Sequence, residues 1–277
     1  MENIWTVVIV GSTTGLWLLY LYRLDENRKR KTRQHVIAIM LLAGGLSVIP
    51  TLWAYRLNPF EFTYWLGPFM YNFAVVGITE ELVKFAVFIL TARLMRSIQE
   101  PQDGIIQGAA IGVGFSAVED VAYGLLYGPH VALQRSLLVG VHALAGALWG
   151  YLWAAAVYEN TLASNREAYR SALIGFLPLA VAHSLYNSIW YWTGTSGAGY
   201  LWNGVLLAVL LVAARKAYRY LKRLSPYHHF PYGEHRLAIA CIERGLARSP
   251  ESLVLKRRLA IYRLAAGRPG AAATLLR

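Results

Sequence analysis

Residues 4–22 read IWTVVIVGSTTGLWLLYLY, without one charged side chain. A helix needs about 20 mostly apolar residues to cross the hydrocarbon core of a bilayer, so this run is long enough to span. Residues 23–33, RLDENRKRKTR, reverse the pattern with a dense basic cluster. Glu2 stands before the apolar run and the basic cluster after it. A secretory signal has the opposite arrangement, a basic start followed by a cleavage site, so the run is read as a retained first transmembrane helix.

The same segregation of charge continues along the chain. Hydrophobic residues make up 56% and charged residues 15%, against roughly 45–50% and about 25% in soluble domains. The net charge of +12 would suit nucleic acid, but the basic residues flank apolar spans, where anionic lipid is the nearer partner. The lipid bilayer, not nucleic acid, is therefore the expected contact. Cys241 is the single cysteine, which excludes an internal disulfide and any multi-cysteine metal centre.

Seven stretches have spanning length and composition: 4–22, 36–55, 68–94, 104–127, 131–158, 172–192 and 200–220. Trp65, Tyr127, Tyr191, Trp192 and Trp202 stand near their ends, where interfacial aromatic belts form. Arg23, Arg28, Arg33, Arg93, Arg96, Arg166, Arg170, Arg215, Lys216, Arg219, Lys222 and Arg223 fall in alternate loops, and only Arg56 and Arg135 on the other side. Positive charge collects in the cytoplasm, so the N-terminus is expected outside and the C-terminus inside. The fold class is thus all-α: a polytopic transmembrane bundle over 1–223 and a short helical cytoplasmic tail over 224–277. A turn-rich linker, 225–233, precedes the tail, and Pro250 and Pro269 punctuate its amphipathic helical patterns. With only a faint likeness to one tetratricopeptide unit, the tail is expected to pack on the bundle, bind a cytoplasmic partner or fray.

A charge at mid-bilayer costs at least about 2.5–3.5 kcal/mol, so each one must be paired, neutralised or used. The third span holds Glu80, Glu81 and Lys84, the fourth Glu119 and Asp120, the fifth His142, and the sixth His183 and Asn187. Residues three or four apart share a helix face, so Glu80 and Glu81 both reach Lys84, and His183 lines up with Asn187. Counting about 1.5 Å of rise per residue puts Glu119, His142 and His183 roughly 12–17 Å deep, with Glu80 at a comparable level. Unrelated structural polar residues would scatter in depth. Gly104, Gly108 and Gly112 repeat every fourth residue, as do His142, Gly146 and Gly150, a pattern that lets helix backbones approach closely.

Blander readings compete at single positions. Glu81 and Lys84 can be a buried ion pair that only fixes packing, and buried pairs need no function. Asp120 more often caps or solvates a helix end than catalyses. The layer as a whole supports hydrolysis by activated water. Glu80 or Glu119 can act as general base, and His183 with Asn187 can donate hydrogen bonds to an oxyanion. No serine or cysteine nucleophile motif and no HExxH motif is present. The residues assign no definite cofactor and leave a divalent metal such as zinc open, since carboxylates and histidines in this number make an adequate ligand set, although one spread over four helices.

Taken in order, Glu80-Glu81-x-x-Lys84, Phe115-x-x-x-Glu119 with Tyr123, His142, and His183-x-x-x-Asn187 resemble the PrsW family of intramembrane proteases. That family is related to the CAAX prenyl endopeptidases and the glutamic intramembrane proteases. The resemblance covers about 67–192. It implies regulated intramembrane proteolysis of a membrane-anchored protein substrate, of the anti-sigma-factor type, in a bacterial or archaeal cell membrane. By motif position it points to Glu80, Glu81, Glu119, His142 and His183 as catalytic and to Asn187 as oxyanion support. The family usually has asparagine after the second-motif glutamate, where this chain has Asp120, an added charge. The competing class is a proton-coupled transporter or channel, since intramembrane carboxylates and histidines also relay protons. Such transporters commonly carry internal repeats, and none is found here. An inactive scaffold relative is the third reading.

Overall fold

The computed structural model describes residues 2–24, 31–57, 67–95, 97–98, 101–136, 138–159, 165–194, 196–224, 235–248, 250–251 and 253–275. Trp65, Arg28, Arg96 and the expected linker 225–233 lie outside the described residues. Among the described residues every regular element is helical. The bundle is built from α1 (Glu2–Leu24), α2 (Lys31–Leu46), α3 (Val48–Leu57), α4 (Pro68–Tyr71), α5 (Ile78–Met95), α6 (Pro101–Tyr127), α7 (Pro129–Arg135), α8 (Leu138–Glu159), α9 (Asn165–Thr193) and α10 (Gly197–Leu224). The tail forms α11 (His235–Arg248), α12 (Leu253–Ala265) and α13 (Pro269–Ala273). It has a small apolar cluster of its own around Ala238, Ile242, Leu259 and Tyr262.

Five helical segments are long and apolar enough to cross a membrane: Asn3–Leu24, Gln34–Leu57, Gln102–Tyr127, Pro129–Ala156 and Gly197–Lys222. The two other expected spans, 68–94 and 172–192, are helical as well, but they do not meet the same standard of length and apolarity. The first is interrupted by a π-helical segment, Asn72–Gly77, and then carries Glu80, Glu81 and Lys84. The second contains His183, Asn187 and an internal proline, Pro178. The protein is an all-helical integral membrane bundle.

Burial is inverted relative to a soluble domain. Large apolar side chains such as Ile4, Trp5, Leu16, Leu201, Val209 and Val212 are exposed on α1 and α10, the side a lipid solvent would cover. Glu80, Glu81, Lys84, Asp120, His142 and His183 are buried in the middle.

The centre is the α6–α8 contact, and the glycine rows make it. A Cβ at Gly104 would collide with the Gly150 carbonyl, and one at Gly108 with the Gly146 carbonyl. At Gly112 the obstacle is the His142 backbone itself. With no side chain between them the two backbones touch, and His142 is brought against Phe115 with ring centroids 5.4 Å apart. Small residues of this kind serve helix packing in lipid because hydrocarbon supplies no hydrophobic drive between helices.

Two devices aim the third pass. Gly67 has φ 100° at the start of α4, a conformation that favours glycine, and Pro68 comes next at the first helical position. One turn on, the π-helical segment packs on α9, where Ser184 Oγ donates to the Asn72 carbonyl at 3.1 Å and Asn72 Nδ2 to Ser188 Oγ at 3.2 Å. Widened turns of this type rotate the next helical residues to a new face and recur at functional sites. Glu80 and Glu81 lie in the first turn after it.

Candidate active site within the bundle

Lys84 is the hub of the buried layer. Its side chain is 1% exposed, and its Nζ lies 2.6 Å from Glu81 Oε1, 3.5 Å from Glu80 Oε2 and 2.9 Å from His142 Nδ1. The ammonium also sits 4.4 Å from the centroid of the Phe115 ring. A lysine so removed from water is stable only with opposite charge and hydrogen-bond partners around it. The expected Glu81–Lys84 pair is therefore present but is not a local intrahelical pair alone, since it joins α5 to α8.

Glu81 is saturated. It accepts from Lys84, from Trp149 Nε1 at 3.2 Å, and pairs with His183 Nδ1 at 2.9 Å. Glu80 is less so: one carboxylate oxygen accepts from the Tyr55 hydroxyl, while Oε2 has no hydrogen-bond partner among the described residues and lies 3.7 Å from His183 Nε2. The His142 and His183 rings meet edge to face, centroids 4.8 Å apart. Ligand atoms of Glu80, His142 and His183 all lie within 4.8 Å of one another.

Glu119 closes the network on the other side. Its Oε2 stands 3.3 Å from His142 Nε2 and 2.7 Å from Arg135 Nη2. Arg135 comes from α7, which starts like α4 with a positive-φ glycine, Gly128, followed by proline. Its Nε donates to Asp120 Oδ1 at 2.9 Å, and Ser116 Oγ donates to Asp120 Oδ2 at 2.9 Å. Asp120 neither caps a helix end nor meets solvent, contrary to the usual expectation for an aspartate. Buried under a guanidinium and a hydroxyl, it has its charge compensated in place.

The five residues expected to be catalytic, Glu80, Glu81, Glu119, His142 and His183, are thus brought together from α5, α6, α8 and α9. Asn187 lies one turn beyond His183, half-buried, and makes none of the bonds that tie the cluster together. Sequence reasoning missed Tyr55 and Trp149 and read Arg135 only as an orientation charge. Arg135 carried one legible signal: it was one of only two basic residues on a side otherwise free of them.

A sequence profile described as "PrsW family intramembrane metalloprotease" matches residues 31–214. The chain is 27% identical over 212 residues to Protease PrsW of Geobacillus kaustophilus, an alignment covering 76% of this chain and 90% of that protein. It is 32% identical over 173 residues to Protease PrsW of Halalkalibacterium halodurans, covering 62% and 77% respectively. Against Protease PrsW of Bacillus subtilis the identity is 27% over 147 residues, 52% of this chain and 66% of the relative. No solved structure matches the chain. The profile encloses every member of the buried network from Tyr55 to His183, and this chain belongs to the PrsW family of intramembrane proteases.

Proposed function

We propose that this protease hydrolyses a peptide bond of a membrane-anchored protein with water activated by Glu119, inside the layer formed by Glu80, Glu81, His142 and His183. The observation that carries the reading is the convergence of four helices' ionisable side chains on one buried network with a single partly exposed carboxylate. Glu119 is 18% exposed, whereas Glu80 and Glu81 are 4% and 1%. Glu119 is the most accessible of these three carboxylates.

In this reading Glu119 takes the proton of the attacking water and delivers it to the departing amine, with His142 Nε2 beside it at 3.3 Å. Glu81, held by Lys84 and Trp149, orients the His183 ring through Nδ1 and leaves Nε2 facing the site. Asn187, next on the same helix face, supplies a hydrogen bond to the developing oxyanion. Tyr55 fixes Glu80 through its hydroxyl.

The residues also fit a divalent metal such as zinc. Among the described residues Glu80 Oε2 and His142 Nε2 are buried without a hydrogen-bond partner, and together with His183 they offer three ligands, the number that leaves a position open in catalytic zinc sites. An ion held there would polarise the scissile carbonyl as a Lewis acid. Glu119 keeps the role of base with or without it.

The basic-residue alternation supports seven passes with the N-terminus outside and a cytoplasmic tail from about residue 224, placed where it could meet a cytoplasmic partner. The anti-sigma-factor type of substrate, and a bacterial or archaeal membrane, follow from the motif resemblance. The test compares membrane-protein fragments, by quantitative mass spectrometry, between cells carrying the wild-type chain and Glu80→Gln. A fragment present only with wild type identifies the substrate and supports the reading. If the two fragment sets are identical while both proteins accumulate equally, the reading fails.

A further inference from the structure

Arg135 lies at the end of the short helix α7, outside every motif that drew attention to the site, yet it contacts more of the second acidic pair than any other side chain does. Its Nη2 is 2.7 Å from Glu119 Oε2 and its Nε is 2.9 Å from Asp120 Oδ1. The guanidinium lies flat enough on Tyr123 to put its carbon 3.9 Å from the ring centroid. Its side chain is 16% exposed, close to the 18% of Glu119 and far from the 1% of Asp120. Arg135 and Glu119 therefore form the accessible rim of the network, and Asp120 anchors the pair from below through Ser116.

We propose that Arg135 is a positioning residue, which holds the Glu119 carboxylate against His142 by spanning Glu119 and Asp120 with one rigid guanidinium. A guanidinium presents its donors in a fixed planar fork, so two carboxylates bound at different nitrogens are fixed relative to each other. The Tyr123 ring fixes the plane of that fork. Among the described residues neither Nη2 nor Glu119 Oε2 makes a hydrogen bond of full geometry, so the 2.7 Å ion pair with Arg135 and the 3.3 Å approach of His142 Nε2 are what place that carboxylate oxygen. Asp120 then has a purpose: it gives Arg135 a buried second anchor, and without Arg135 two neighbouring carboxylates would stand together in the bundle. Lysine cannot replace this arrangement, because a single ammonium is a point charge and cannot hold both groups at fixed geometry.

The inference rests on Glu119 as the base, and its test separates the two. The membrane protein whose fragment is lost with Glu80→Gln is purified and reconstituted with the full-length chain in vesicles of phosphatidylethanolamine and phosphatidylglycerol. Cleavage is then followed at several substrate densities. Arg135→Gln should lower kcat by about 10²-fold while KM stays within about threefold, since the interaction is needed for the transition state rather than for substrate binding. Arg135→Lys should recover no more than about a tenth of wild-type kcat. In the Arg135→Gln background, adding Asp120→Asn should restore kcat by about tenfold by removing the unpaired carboxylate. An equal loss of kcat and of folded protein in Arg135→Gln, with no rescue by Asp120→Asn, would mean a structural role and overturns the proposal. So would full activity of Arg135→Lys or Arg135→Gln. Activity retained in Glu119→Gln would instead overturn the reading of Glu119 and leave the geometry of the clamp as packing only.

Discussion

Helices α1 and α10 differ from α6 and α8 in what their apolar residues are for. In the apolar windows of Asn3–Leu24 and Gly197–Lys222, 17% and 22% of residues are buried in the protein, against 56% in Gln102–Tyr127 and 81% in Pro129–Ala156. The outer helices expose leucine, valine and tryptophan to lipid and need only be hydrophobic. The inner helices must let backbones touch and must hold charge away from lipid, so they are written in glycine, alanine and a few ionisable residues. Hydropathy thus speaks most clearly where the chemistry is absent. The helix bearing Glu80 and Glu81 and the one bearing His183 fall short of the apolar standard that α1 meets.

The sharpest way to break this contrast is to remove one carboxylate from the interior layer around the Glu119 base. Glu80→Gln keeps the shape and the hydrogen bond from Tyr55 and should lower cleavage of the natural substrate by about 10²–10⁴, with the protein still folded in detergent. A comparable charge-removing change on the lipid side is not even available, since α1 carries none between residues 4 and 22.

Smaller in effect is Lys84→Met, which strips the hub cation from Glu80, Glu81 and His142. Removing one partner of a buried charge cluster costs about 3–5 kcal/mol. The expected outcome is a large fall in thermal stability or accumulation, measured by fluorescence-detected gel filtration after heating. Glu81→Gln should behave in the same way, because Glu81 has three partners to lose. An intact but inactive Glu81→Gln would place Glu81 among the catalytic residues instead.

Smaller again is the packing test. Gly108→Leu would force a side chain into the Gly146 carbonyl, whereas Gly11 on α1 has nothing within 4 Å of where its Cβ would be. Overpacking costs about 1–3 kcal/mol, so Gly108→Leu should lower the melting temperature and Gly11→Leu should leave it unchanged. Equal effects at the two positions would erase the distinction between inner and outer helices.

Much of this was legible in the sequence, and the reasons are physical. Spanning helices betray themselves because hydrocarbon tolerates no unpaired backbone and few charges, which is why the all-helical bundle could be read from 4–22 and its successors. The shared depth of Glu80, Glu119, His142 and His183 was readable because helical rise is fixed. Contacts between helices were not, since spacing along one helix says nothing about what faces it. Tyr55 follows Ala54 at the end of a broken second pass, and nothing in that neighbourhood says that its hydroxyl reaches Glu80. Lys84 looked like the partner of Glu81 at three residues' distance and gave no sign of reaching His142 across 58 positions. Arg135 counted only as an orientation charge at the outer end of the expected span 131–158, and nothing in the sequence shows that it turns inward to Glu119 and Asp120. The π-helical segment before Glu80 was equally hidden, because an extra residue in a turn leaves the composition unchanged.

The central claim is that the interior layer performs the hydrolysis with Glu119 as base. It is tested most directly by single-turnover cleavage of the identified substrate by purified Glu119→Gln beside wild type, both in the same vesicles and both shown to be folded. The account predicts unchanged substrate binding and a rate lower by about 10²–10⁴. Cleavage by Glu119→Gln at the wild-type rate would contradict it.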